Sequence, residues 1–453
     1  VNHTPSHGHT DSVPSVQDDQ KGAMVFQTDA GIEMDGTTGY GNGYAGNEAG
    51  RYRESGGFNV AIGHETLYGS GTYSDNTGSY NIALGYNSTC SLTSGTYNIA
   101  IGGDAGKAIS SGGCNVILGT NAASSLSSGI HNIIFGKDAA KTIGAGNCNV
   151  FIGFESGQST GTAADNDASN NVSIGVDAGY GLTDGDYNNF VGRGAGKCVS
   201  TGKYNVAFGH WAGRSSTTSS YNLFLGYYAG CDKTTGNYNI ALGKSALQGT
   251  PSSATGEQNI AIGTLAYECV TTGGTNVVIG CGAAKVATTG SHNTILGMRA
   301  GQRMTTGHTN VFLGYYAGEG ASSSGGTGHN NISLGCNALS EKLTSACNNI
   351  AIGAAAGLCI DTGNANINIG YQAGCHNHNA VCNVAIGHNA GKMNGTGDHN
   401  VYLGTYAGKG LAASGTPATD NTGSKNVAIG CHAGYVLSTG EENVMLGHGA
   451  GKA

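Results

Sequence analysis

Proline is scarce in this chain, 4 residues of 453, and charge is thin, with Asp, Glu, Lys and Arg together only 11%. Glycine is abundant at 82 residues, but it does not recur at every third position with proline, which excludes a collagen-like triple helix. No apolar run approaches the ~18 residues of a membrane-spanning helix, and no helical apolar period lasts long enough for a coiled coil. Lys/Arg clusters are missing and the formal net charge is −8, which argues against charge-driven binding to nucleic acid or to an anionic membrane. The 13 cysteines cannot all pair within one chain and lack C-x-x-C spacing, so neither a disulfide framework nor a zinc site is indicated. Mostly buried, free thiols in a chain assembled in a reducing compartment are expected. The sequence opens at Val1 without a signal-peptide pattern, so a removed upstream segment or a trimmed numbering is expected.

Repetition fills the space these absences leave. Counting the Asn of the NVAIG segment at Asn59 as position 1, the same Asn recurs from Asn42 to Asn443 in 23 copies, most of them 17 residues apart. The pattern is N-[VI]-x-[IL]-G-x-x-A-G, a variable stretch, then usually [ST]-G. Position 5 is Gly in every copy, as in Gly63, Gly85, Gly102 and Gly119, and position 8 is Ala except at Thr66, Ser88 and Ser156. Positions 2 and 4 are apolar and mostly branched, so they share one face of a short strand. The position 5 Gly suits a corner outside ordinary φ/ψ space, and the position 8 Ala suits a narrow interior. Position 12 adds Leu92, Ile109, Leu126, Ile143, Val199, Val270, Ile360 and Leu437, and Thr-Gly or Ser-Gly nearby reads as a second turn. These features predict an all-β fold, a parallel β-solenoid of about 23 coils over residues 42–453, preceded by a docking or flexible segment at 1–41. Asn59, Asn81, Asn98 and Asn115 are expected to form a structural ladder up the stack, with coils ~4.8 Å apart in a rod of about 110 Å.

With positions 2 and 4 assigned to the core, position 3 is expected to face outward. It is nevertheless apolar in most copies, and Phe151, Phe190, Phe224 and Phe312 are its largest residues. A strand apolar on both faces is covered on both, so these four are expected to pack between chains of a homo-oligomer. The repeated NVAIGxxAG followed by TTG resembles the head repeats of trimeric autotransporter adhesins and, more closely, the β-solenoid shafts of bacteriophage tail fibres, including those of cyanophages. The resemblance covers about residues 42–453. It implies three chains side by side in a fibre for host attachment, on a virion or an extracellular surface, with a host glycan or protein as receptor. An extracellular filament or surface adhesin of a microbe is the alternative, and an ice-binding solenoid a distant third. The adhesins' coiled-coil stalk and barrel anchor, and the fibres' C-terminal chaperone, have no counterpart in these residues. Cleavage or omission of such a chaperone is an expectation.

Chemistry-bearing motifs are weak. Ala-Gly-Lys at Ala105–Lys107, Ala195–Lys197, Ala390–Lys392 and Ala450–Lys452 lacks the frame of a phosphate loop. His3, His7 and His9 fit a tail better than a metal site. Asp104, Asp138 and Asp177 occupy one place in different coils and form no acid/base dyad. Neither an enzyme nor a cofactor is expected, and no metal site is assigned. Tyr187, Tyr204, Tyr221 and Tyr238 precede the motif Asn in successive coils and are the candidate binding strip, for aromatic stacking or for a sugar ring. Thr pairs such as Thr217-Thr218 and Thr271-Thr272 sit on a turn, which disfavours the flat grid of an ice-binding face. Asp75-Asn76, Asp165-Asn166 and Asp420-Asn421 read as Asx turns or calcium ligands. Insertions of 5, 5, 3, 4 and 9 residues follow the motifs at Asn59, Asn149, Asn239, Asn310 and Asn400. They are expected to project from one edge as contact loops.

Overall fold

In the computed structural model of the chain the described residues are 24–25 and 41–452, except 54, 72–74, 160, 162–165, 251–253, 321–324, 342 and 411–420. The chain divides into two compact units, residues 1–203 and 204–453. The first holds ten short strands, from Met24–Val25 and Gly43–Ala45 to Asn189–Val191. The second holds fourteen, from Val206–Phe208 to Val444–Leu446. Apart from Met24–Val25, each strand is three residues long and occupies positions 2 to 4 of its repeat. Among the described residues there is no α-helix.

Within each unit every strand pairs in parallel with the strand one repeat on, in strict motif register: Val116 lies on Ile133 and Leu118 on Phe135, as Val311 lies on Ile332 and Leu313 on Leu334. Each unit is thus a parallel β-solenoid. Parallel pairing begins before the first full repeat, because Met24 pairs with Gly43 inside the segment assigned to docking.

The corner after each strand fixes the position 5 glycine twice over. Gly297 has φ 137°, a region closed to L side chains, and a Cβ there would lie 2.2 Å from the Gly314 carbonyl oxygen of the next coil. Non-glycine residues also take left-handed φ at recurring places, such as Leu67 (51°) and Tyr80 (59°). Such residues persist where their surroundings over-determine them, and here their amides bond an adjacent coil: Leu67 N–H donates to Ser88 O and Tyr80 N–H to Gly57 O.

The alternation runs opposite to the expectation. The middle residue of the strand, position 3, faces the inside of its own coil, and positions 2 and 4 face out. Phe151, Phe190, Phe224 and Phe312 are at most 1% exposed within a single chain, so they are core residues and not contacts between chains. Their size is matched by position 9. Phe151 lies on Gly157, Phe224 on Gly230, Phe312 on Gly318 and Tyr402 on Gly408, and a Cβ on any of these glycines would come within 2.5 Å of the ring. In four coils a small position 3 is paired with a large position 9, Ala61 with Leu67, Ala241 with Leu247, Ala261 with Tyr267 and Ser333 with Leu339, all buried. In others both are small, as at Ala207 with Gly213 and Ala385 with Gly391, and there a large ring of the next coil, Phe224 or Tyr402, lies against the glycine. Volume at the two positions is balanced within a coil or against the next one, so that the interior stays filled, as close packing requires.

Position 8 and the apolar position 12 residues complete the core, with Leu92, Ile109, Leu126 and Val270 fully buried. Where Ala is replaced at position 8, the hydroxyl bonds another coil: Thr66 Oγ1 to Gly85 O at 2.8 Å and Ser156 Oγ to Ser173 O at 2.7 Å.

Among the described residues two coils carry a buried cation at position 12. Arg53 donates to Leu92 O at 3.0 Å and to Gly78 O, and Lys233 donates to Gly256 O. Burial pushes the Lys233 ammonium down to about 7, against a weaker attraction from Glu257. An unfolded lysine titrates near 10.4. From about pH 7 up to about 10.4 the unfolded chain therefore holds a proton that the folded chain lacks, and stability rises with pH over that window. Lys233→Met should stabilise the unit most near pH 6 and progressively less toward pH 10, measured as the difference in urea midpoint from wild type. A difference that does not change with pH would exclude Lys233 as a titrating buried group.

Candidate functional site

Turning positions 2 and 4 outward gives each unit a face of unusual composition. The two columns consist of Val, Ile, Leu and Phe with an occasional small residue, are interrupted by the polar side chains of Asn189 and Thr294 only, and contain no charge. Val60, Ile82 and Ile133 at position 2 are exposed, as are Ile62, Phe208, Leu334 and Ile386 at position 4. The column before the strand carries exposed Phe58, Tyr80, Tyr97, Tyr204, Tyr221 and Tyr238, and the column after it exposed Tyr86, Phe154, Tyr227, Tyr315 and Tyr371. The two strand columns thus form an uncharged apolar stripe along each unit, bordered by columns in which these aromatic residues alternate with polar and charged ones such as Lys137, Arg193, Lys244 and Lys425. The stripe is larger than a soluble monomer ordinarily exposes.

Behind this face the position 1 asparagines lie buried and bonded in series. Asn115 Nδ2 donates to Asn98 Oδ1 at 2.9 Å and to Gly129 O at 2.8 Å, and Asn132 donates to Asn115 Oδ1 from N and from Nδ2, both at 3.0 Å. Asn59, Asn81 and Asn98 repeat the arrangement in the first unit, and Asn293 and Asn310 in the second. Each side chain ties its own strand to a neighbouring coil and to the turn that follows it.

The tyrosine strip is held in an uncommon backbone state, with φ of 57°, 59°, 61° and 57° at Tyr187, Tyr204, Tyr221 and Tyr238. In the second unit the rings of Tyr204, Tyr221 and Tyr238 stack face to face, 5.0 Å apart and within 12° of parallel. Faces that cover one another leave edges and hydroxyls to solvent, which suits surface stabilisation better than a sugar platform. A different aromatic group is less regular. His210, Trp211, Tyr227 and Tyr228 meet over two coils at mixed angles, with Trp211 and Tyr228 edge to face at 5.1 Å. The Arg214 guanidinium lies 4.8 Å over Trp211 and pairs with Asp232 at 3.1 Å.

The remaining motif residues have structural partners. Lys107 pairs with Asp104 at 3.2 Å and Lys197 with Asp177 at 2.9 Å, and Asp138 pairs with Lys141 at 3.3 Å, so cation and carboxylate neutralise each other coil by coil. Lys392 donates to Gln372 Oε1 at 2.7 Å. The first threonine of each pair bonds a neighbouring coil's backbone, Thr217 Oγ1 to Thr234 O and Thr271 Oγ1 to Thr288 O, and is committed to the stack. Asn166 is buried and donates to Thr142 O at 2.9 Å. His3, His7, His9, Asp165, Asp420 and the tips of the insertions lie outside the described residues.

The cysteines depart from expectation. Among the described residues no disulfide joins them, but only Cys231, Cys359 and Cys375 are buried, and the others lie at outward places such as the residue before the motif Asn (Cys114, Cys148, Cys382). One of them belongs to a group the sequence reading passed over. Cys431, His432 and His448 bring a sulfur and two imidazoles within 4.8 Å of one another, the one such trio among the described residues. A search for short Cys and His spacings misses it because Cys431 and His448 are 17 residues apart, and only the coil register stacks them.

No family model and no curated protein matches the chain. Among the described residues no helix is long and apolar enough to cross a membrane.

Proposed function

We propose that the chain is a structural and adhesive fibre protein, a tail or surface fibre of a virus built from three chains side by side and used for attachment to a host. The observation that supports this is the uncharged double column of positions 2 and 4. A partner of the same repeat covers such a face most completely, because coil can meet coil along the whole stack without burying charge. The likeness of the repeats to tail-fibre shafts and adhesin heads points the same way, and the adhesive filament of a microbe is the alternative setting. Catalysis is not part of this reading, because the polar groups recur once per coil and pair with their neighbours. Glycan contact falls to exposed Tyr227 with half-buried Trp211 and Tyr228, whose rings meet at steep angles, and to the Arg214 guanidinium beside Trp211 as a hydrogen-bond donor.

The test separates folding from assembly. Native mass measurement of the wild type should give three times the 45.3 kDa chain mass. Ile350→Asp combined with Ile352→Asp, both on the outward face of one strand, should give the single-chain mass with an unchanged far-ultraviolet spectrum. A wild type that is monomeric at micromolar concentration, or a double variant that stays trimeric, overturns the reading.

A further inference from the structure

We propose that Cys431, His432 and His448 form a binding site for a borderline divalent cation of the zinc type, which clamps two consecutive coils of the second unit together. Strand Val427–Ile429 lies in register on Val444–Leu446, with Ile429 on Leu446. The residue after each corner glycine is therefore stacked as well: Gly447 N–H donates to Ile429 O at 2.8 Å and Gly449 N–H to Cys431 O at 2.9 Å, which brackets His448 between two fixed backbone contacts. Cys431 and His448 thus both stand at position 6 of their coils, and His432 follows Cys431 in the chain.

The side chains converge outside the coil. Cys431 Sγ is 3.1 Å from His432 Nδ1, and the His432 and His448 rings are 6.1 Å apart at 61°. In a tetrahedral zinc site the metal lies about 2.3 Å from sulfur and about 2.0–2.1 Å from nitrogen, so donor atoms sit roughly 3.3–3.7 Å from one another. One pair is already that close, and the others lie within 4.8 Å. Half-buried Cys431 and His432 and exposed His448 can close the difference by side-chain rotation alone. One thiolate and two neutral imidazoles suit zinc and disfavour calcium or magnesium, which take oxygen ligands. Tyr406 and Tyr435 stand beside the trio, their rings 5.1 and 5.3 Å from the His432 ring. Because the ligand is the thiolate, binding releases a proton and weakens in acid.

The probe is the full chain, freed of metal with a chelator and titrated with Co²⁺ and then Zn²⁺. One Co²⁺ per chain should bind with a thiolate-to-cobalt charge-transfer absorption, and Zn²⁺ should displace it and raise the melting temperature. Cys431→Ser should abolish the absorption, and His448→Ala should weaken binding by more than about 100-fold, beyond the roughly 10–100-fold that outer-shell changes typically cost. Cys336→Ser, at position 6 of a coil outside the trio, should leave both readouts unchanged. Absence of the absorption in wild type, its survival in Cys431→Ser, or unchanged affinity in His448→Ala would overturn the assignment. Each variant's far-ultraviolet spectrum confirms that the coils remain folded.

Discussion

Phe312→Asp should open the coils around it, whereas Leu313→Asp, one residue along the same strand, should leave them closed. Phe312 is fully buried, lies against Gly318, and is paired in register with Ile295 on one side and Ser333 on the other. Truncating such a ring costs about 3–5 kcal/mol from lost burial and the cavity left behind. A carboxylate in that space adds several kcal/mol more, because an apolar ring leaves no donor poised to receive it. Leu313 is only partly buried and faces outward, so a charge there stays hydrated in the single chain. In a repeat protein each coil is stabilised chiefly by its neighbours. The loss should therefore appear first as fast amide exchange through residues 294–334 and only then as a lower unfolding midpoint. Equal effects of the two substitutions, or a larger effect at Leu313, would mean that the inward and outward faces are assigned the wrong way round.

That contrast marks where the sequence is legible and where it is not. The repeat places the strands, the corner glycines and the asparagine column, because each depends on residue type at a fixed spacing. Facing depends on something else. Positions 2, 3 and 4 are all apolar, and a period of two says only that position 3 opposes its neighbours, not which set is inside. Ser173, Ser333 and Asn368 look outward in the sequence because they are polar, yet all three are buried. Ser333 Oγ donates to Ala338 O at 2.7 Å, and Asn368 Oδ1 accepts from Asn377 Nδ2 at 3.2 Å, so these two find a partner within their own coil, whereas the buried Ser173 Oγ has none among the described residues. The clue that does separate the faces is volume. Every large residue at position 3 meets Gly or Ala at position 9, as in Phe312 with Gly318, and where both are small, as at Ala207 with Gly213, Phe224 of the next coil lies against the glycine, a compensation that only residues sharing a closed interior need. The Cys431, His432 and His448 group is hidden for a related reason. Its spacing belongs to the coil and not to any local ligand motif.

Asn115→Ala is expected to cost about 3–5 kcal/mol, more than an ordinary buried polar truncation, because one side chain serves three coils. Its amide donates to Asn98 Oδ1 and Gly129 O, and its carbonyl oxygen accepts both the backbone and the side-chain N–H of Asn132. Alanine leaves the Asn132 amide N–H and the Gly129 carbonyl buried without these partners, at roughly 1–3 kcal/mol each. Asn115→Asp is the sharper test. Aspartate still accepts from Asn132, but it turns a carboxylate oxygen toward Asn98 Oδ1 and Gly129 O, where the wild type presents a donor. Protonation restores one donor, so the folded state holds this carboxyl above its unfolded value of about 3.9. The stability linked to that proton is fully present below about pH 3.9 and is lost as pH rises through the folded value. At neutral pH Asn115→Asp should therefore be less stable than Asn115→Ala, and the gap should narrow or reverse toward pH 4, followed by urea unfolding of both variants across that range. If Asn115→Asp matched wild type at neutral pH, the side-chain amide would not be donating along the stack, and the buried asparagines would contribute as acceptors alone.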